Sequence, residues 1–271
     1  MRGFLALILA SFFWGTSPPA TEFALRNFSP QVIIFLRFFL SSALLFVFLR
    51  KKPVLSKPAI TLGFLNALAY ELQFTGQVYT TATKVAIISN TFPIFVGILS
   101  PIFLGEKPNL KQIASIILGI LGILLVGNVF SFGGINLGDA LSLIASLIYA
   151  LYVIIAKKFS TREDPIIYTF STNLISTATA FLFLPISPNF SPDLLSIISI
   201  SIIWLAVFPS TLGYALYFYG LREVGAISSS VIILSTIVFG ALLSILILGE
   251  TLNIMESLGL ILVCLGVLMA R

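Results

Sequence analysis

The sequence predicts an all-α integral membrane protein: ten transmembrane helices arranged as two inverted five-helix repeats. Three observations lead there. The 271 residues are 58% hydrophobic and only 9% charged, with a mean hydropathy of +1.11, whereas soluble domains carry about 25% charged residues. So apolar a surface requires the bilayer as its solvent. Apolar runs of roughly 20 residues, the length a spanning helix needs, recur along the whole chain. The two halves also align with each other, and five helices per half is an odd number, so the second copy enters the membrane upside down.

The runs fall at 3–25, 31–49, 58–80, 83–104, 110–127, 138–156, 166–185, 195–220, 226–248 and 253–270. They divide the chain into an N-terminal repeat, 1–127, and a C-terminal repeat, 128–271. The first run follows a very short basic start without a cleavage-type small-residue site, and reads as a retained helix. Pro30, Pro58, Pro108 and Pro165 sit at or beside helix starts, where a missing N–H costs little. Short connections at 81–83, 105–109 and 249–252 imply helical hairpins. The alternating strands of about ten residues that mark a membrane barrel are absent.

Charge sets the expected orientation. Arg2, Arg50, Lys51, Lys52, Lys57, Lys107, Lys111, Lys157, Lys158, Arg162, Arg222 and Arg271 fall on one side of this topology. Only Arg26 and Lys84 fall on the other, and Arg37 lies inside a helix. Short loops rich in Lys and Arg stay in the cytoplasm, so both termini are expected there, in a cell's inner membrane. The net charge of +5 is spread over loops instead of forming a basic face with interleaved aromatics, which argues against nucleic acid as a partner. The chain has no histidine, and its one cysteine, Cys264, lies in an apolar run. No internal disulfide, metal site or cofactor is expected. The expected partners are the lipid bilayer and a small-molecule substrate, with the chain a monomer or homodimer.

The repeat is visible at two offsets. A shift of 135 pairs Ala10, Ser11, Pro30, Phe35 and Ser41 with Ala145, Ser146, Pro165, Phe170 and Ser176. A shift of 144 pairs Tyr70, Phe74, Gly76 and Ala82 with Tyr214, Phe218, Gly220 and Ala226, and Gly105, Glu106 and Asn109 with Gly249, Glu250 and Asn253. Inverted repeats commonly build transporters whose site lies near the midplane between the halves.

Motifs in matching order add a resemblance. Phe13-Trp14-Gly15-Thr16-Ser17, Ser29-Pro30 with Leu36-Arg37, Asn90-Thr91-Phe92-Pro93, Leu104-Gly105-Glu106 and Leu248-Gly249-Glu250 cover nearly the whole chain. In this set the sequence resembles the EamA-type ten-helix members of the drug/metabolite transporter superfamily. The resemblance implies export or exchange of amino acids, other metabolites or drugs through a central cavity by alternating access. Two positions depart between the repeats: Ile237 stands opposite Pro93, and Thr172 opposite Arg37.

Polar residues inside spans normally face a bundle interior or a water-filled cavity. Asn66, Tyr70, Gln73 and Gln77 follow one face of helix 3, and Ser210, Tyr214 and Tyr217 repeat the first three positions in helix 8. These residues are expected to line the cavity, with Trp14, Tyr149, Asn90 and Thr91; hydrogen bonding between helices is the plainer alternative. Glu71 and Arg37 have compatible depths for a charge pair, with Glu22 as the other candidate for Arg37. Burial penalises a charged carboxylate and a nearby cation opposes the penalty, so Glu71 is the expected proton-coupling or substrate-amine group. Glu106 and Glu250 read as solvated turns or caps. An uncharged aromatic and amide lining suits small zwitterionic or amphiphilic solutes, such as amino acids. A phosphorylated-metabolite or drug exchanger of the same fold is the alternative. An embedded enzyme needs clustered carboxylate, His or Cys groups, which the sequence lacks, and a scaffold has no need of a repeated polar stripe.

Overall fold

Prolines and back-bonded hydroxyls decide where these helices start and where they break. The computed structural model describes residues 1–25, 28–80, 82–127, 134–159, 164–184, 198–248 and 251–271. Among them the chain forms ten helical rods. The first repeat holds α1 (Arg2–Gly15 and Ser17–Leu25), α2 (Pro30–Leu49), α3 (Lys57–Tyr79), α4 (Ala82–Ser89 and Phe92–Phe103) and α5 (Leu110–Val126). The second holds α6 (Leu137–Phe159), α7 (Pro165–Phe181), α8 (Ile198–Leu205, Ala206–Gly213 and Tyr214–Glu223), α9 (Ala226–Ile233 and Ser235–Leu248) and α10 (Ile254–Met269). Residues 249 and 250 of the second Leu-Gly-Glu motif, and the loop charges Arg26 and Arg162, lie outside the described residues.

Pro30, Pro58 and Pro165 occupy the first turns of α2, α3 and α7. Asn109 and Asn253, equivalent by the 144 shift, start α5 and α10 with the same capping box, closed by Gln112 and Glu256. The breaks also repeat. In α4 the Thr91 hydroxyl donates back to the Ile88 carbonyl at 2.7 Å, just before Pro93. In α9 the equivalent Ser235 does the same to Ile232 at 2.7 Å, so the second copy breaks at this place without the proline. The middle of α8 loosens into a π-helical stretch around Pro209, whose missing N–H cannot close the ordinary ladder.

The helices pair as two inverted copies of one unit must. Exchanging helix n for n+5 maps each main interface onto another: α3 packs on α6 and α7 as α8 packs on α1 and α2. Likewise α1 meets α9 as α6 meets α4, while α2–α7 and α5–α10 map onto themselves. Among the described residues six helices are long and apolar enough to cross a membrane, and α5 and α10 are shorter apolar ones. The two more polar helices, α3 and α7, pack on each other inside the bundle. There Asn66 donates to Ser176 at 3.2 Å, and Ser176 to the Gly63 carbonyl at 3.0 Å. Large apolar side chains such as Phe48, Ile102 and Leu246 face outward, as a bilayer solvent demands.

The Arg271 guanidinium lies 5.6 Å from the ring of Phe4, so both ends of the chain meet at one end of the bundle, here the termini face. At the opposite, distal face the Lys84 ammonium and the Asp139 carboxylate meet at 2.6 Å and tie α4 to the start of α6. Asp139 accepts further hydrogen bonds from Thr80 and from the Asn136 N–H.

Candidate substrate cavity

A cavity of about 670 Å³ lies between helices of both repeats, within the size range of small-molecule sites. The stripe predicted on α3 builds one wall. Residues spaced 4, 3 and 4 apart share a helix face, and Asn66, Tyr70, Gln73 and Gln77 all line the cavity. Tyrosines of the other repeat hold the stripe in place. Tyr214 donates to Asn66 Oδ1 at 2.7 Å, and Tyr149 to Gln73 Oε1 at 2.7 Å.

Aromatic rings form the rest of the box. Trp14 donates to the Pro209 carbonyl at 3.0 Å, and its ring lies 5.2 Å from that of Tyr214 and 5.3 Å from that of Tyr217. The π-helical stretch of α8 therefore anchors the indole. Tyr70 meets Tyr149 edge-on with centroids 6.3 Å apart. Asn90 lines the wall beside the α4 break, its amide bonded to the Ala86 carbonyl at 2.7 Å. Thr91 does not line the cavity; its hydroxyl is taken by Ile88 and by Ser146 at 3.1 Å.

The charged residues depart from expectation. Glu71 follows Tyr70 by one residue, about 100° around the helix, and that rotation turns it away from the cavity. It is 4% exposed, and its Oε1 makes no hydrogen bond. Arg37 does line the cavity, but neither of its expected ion pairs forms: Lys84–Asp139 is the one ion pair among the described residues. Its Nε donates instead to Ser210 at 2.9 Å, and the guanidinium carbon sits 5.0 Å from the centroid of Tyr70. Glu22 lines the cavity far along α1, towards the distal face. Sequence reasoning missed Tyr152 and Ser89 as lining residues. Tyr152 had a signal, since it follows Tyr149 by three residues on one helix face.

The cavity runs towards the distal face, lined as far as Leu25 of α1 and Gln77 of α3. Towards the termini face the lining stops at Asn66 of α3, Val153 of α6 and Tyr217 of α8. Three contacts between helices close that face. Lys157 of α6 donates to the carbonyls of Leu221 and Val224 at 2.8 Å each. Glu223 accepts from the Gly3 N–H at 2.7 Å. Glu106, at the end of α4, accepts from the Ala226 N–H at the start of α9 at 2.8 Å. Glu106 is thus a bridge between the repeats and not a solvated turn.

Tyr214→Phe is expected to strand Asn66 Oδ1 in a buried site, at a cost of about 1–3 kcal/mol. Tyr217→Phe removes a buried hydroxyl that has no partner and is expected to cost little. Melting temperatures of the two variants in detergent check this; equal losses would contradict the assignment.

The model of the EamA-like transporter family matches residues 1–128 and 136–271. A relative from Archaeoglobus fulgidus, named an uncharacterized transporter, is 29% identical over 98% of both chains. The uncharacterized transporter YyaM of Bacillus subtilis is 27% identical over 98% of this chain and 92% of its own. Protein PagO of Salmonella typhimurium is 28% identical over 85% and 80%. A crystal structure 16% identical to this chain superposes with a TM-score of 0.82 over 99% of this chain and 96% of the other, which speaks to the fold alone. A cavity between inverted halves of a ten-helix bundle, together with these matches across the chain, makes this a membrane transporter and not an enzyme: the chain belongs to the EamA-like transporter family.

Proposed function

We propose that the chain is a secondary transporter exporting small organic solutes, such as amino acids or related metabolites, by alternating access between the repeats 1–127 and 128–271. The observation that carries this is the cavity itself, walled by both repeats, reaching the distal face and closed by side-chain contacts at the termini face. Rocking one repeat against the other would break the Gly3–Glu223 and Glu106–Ala226 contacts, the two that join the repeats, and open the opposite side. In this reading the termini are cytoplasmic, as the excess of Lys and Arg on their side supports, and the cavity is open to the outside. The cavity is walled within one chain, which suits a monomer and a homodimer alike. Proton coupling is assigned to Glu71, whose buried Oε1 lacks a hydrogen-bond partner and is costly to leave charged.

Counterflow of labelled amino acids into proteoliposomes tests the reading. Saturable exchange by the wild type is expected. Glu71→Gln is expected to keep exchange and lose accumulation driven by an imposed pH gradient. Folded protein that exchanges none of a broad amino-acid panel would remove that substrate class and favour phosphorylated or drug-like solutes.

A further inference from the structure

We infer that Arg37 is the anchor for a single carboxylate on the solute, and that the aromatic box beside it takes the solute's apolar body. This rests on the reading of the cavity as the transport site, and adds to it the one charge the substrate must carry. Arg37 is 3% exposed, yet no carboxylate partners it. Its Nε is spent on Ser210, while Nη2 is buried with no hydrogen bond at all. The rings of Tyr70 and Phe38, 5.0 and 5.4 Å from the guanidinium carbon, soften the isolated charge without neutralising it. A buried cation in a membrane normally has a partner. Here the cavity is where that partner would arrive.

The rest of the lining selects the kind of anion. Among the described residues Arg37 is the sole cation in the cavity wall, and Glu22, the sole carboxylate, lies towards the distal mouth. A phosphate monoester, with nearly two negative charges, would go half unmatched. A carboxylate carries one, and its planar pair of oxygens suits a guanidinium fork. Buried hydroxyls of Ser89, Tyr152, Tyr217 and Thr236, all in this wall, also make no hydrogen bond. The site is therefore incomplete in polar partners as well as in charge. Trp14, Tyr70 and Tyr149 offer flat apolar faces for an aromatic or aliphatic body.

Binding is measurable without transport. The chain has two tryptophans, so Trp204→Phe leaves Trp14, in the cavity wall, as the only indole. Its fluorescence in nanodiscs would be titrated with 3-phenylpropionate, 2-phenylethylamine and phenyl phosphate. The carboxylate is expected to bind more tightly than the other two. Arg37→Gln should weaken it about 10- to 100-fold, the worth of one charge-assisted contact. Arg37→Lys should recover part of that loss, keeping the charge without the fork. Size-exclusion profiles and melting temperatures establish that each variant is folded. Equal carboxylate affinity in Arg37→Gln, preference for the amine or the phosphate, or no carboxylate binding by folded protein would each overturn the anchor. Arg37-dependent binding without exchange in proteoliposomes would keep the anchor and remove the transport reading; exchange of amino acids that survives Arg37→Gln would do the reverse.

Discussion

Gly122→Leu is expected to abolish stable assembly of the bundle. A Cβ on Gly122 would stand 2.6 Å from the Gly259 carbonyl oxygen and 2.8 Å from the Val263 nitrogen. On the partner helix, a Cβ on Gly259 would meet the Gly122 carbonyl at 2.6 Å and the Val126 nitrogen at 2.7 Å. These are backbone atoms, which cannot rotate aside as a side chain can. Further along the same seam, a Cβ on Gly266 would lie 2.8 Å from the Ser115 carbonyl. In lipid, close backbone approach through small residues is a main source of helix association, and α5 and α10 form one of the most extensive interfaces among the described residues. Overpacking usually costs about 1–3 kcal/mol, and a four-carbon side chain wedged between two backbones belongs at or above the top of that range. The expected result is aggregated protein in size-exclusion chromatography, or a melting temperature well below wild type. Gly240→Ala is the control, since its nearest contact would be an ordinary 3.7 Å. A wild-type melting temperature for Gly122→Leu would show that α5 and α10 do not dock this way.

Lys157→Met is expected to loosen the closed face while leaving the fold intact. The ammonium donates to three carbonyls at the end of α8: Leu221 and Val224 at 2.8 Å and Arg222 at 3.2 Å. These are the acceptors that the end of a helix leaves unfilled, and a cation suits the negative pole there. Methionine keeps the length and apolar stem but donates nothing. Hydrogen bonds to a charged group are worth about 1.5–3 kcal/mol. Both α6 and α8 belong to the second repeat, so opening must part them within it, and a loss of about 2–3 kcal/mol then shifts the open–closed equilibrium by about 30- to 150-fold. Accessibility from the termini face reads this directly. Cys264 is removed, a cysteine replaces Ser230 in the cavity lining, and an impermeant maleimide is added on that side of oriented vesicles. Labelling should accelerate in Lys157→Met relative to the lysine-containing control. Unchanged labelling would mean that the α6–α8 contact does not help close that face.

Local features of the chain carried a good deal of this. Helix number and approximate position follow from run length, because a bilayer accepts little but spans of about 20 apolar residues. The α3 stripe followed from spacing alone, since 3.6 residues per turn determines which side chains share a face. The shared helix break was foreshadowed by the match of Thr91 to Ser235, although the missing proline in the second repeat obscured it. Tyr152 is less legible because the 135 shift places it opposite Ser17, whereas Tyr149 stands opposite another aromatic, Trp14.

By itself, then, the sequence determined the class of solvent, the ten helices, the inverted duplication and the face of α3 that meets the cavity. All of these depend on residue order along one helix or on the offset between two copies. The tertiary structure alone decided what Arg37 faces, that Glu71 turns away from the cavity, that Glu106 bridges the repeats, and which end of the cavity is closed. Each of those depends on how separate helices are rotated and staggered against one another. A rotation of one residue, about 100°, is enough to move a carboxylate from a cavity wall into the packing behind it, and depth along the membrane does not reveal it.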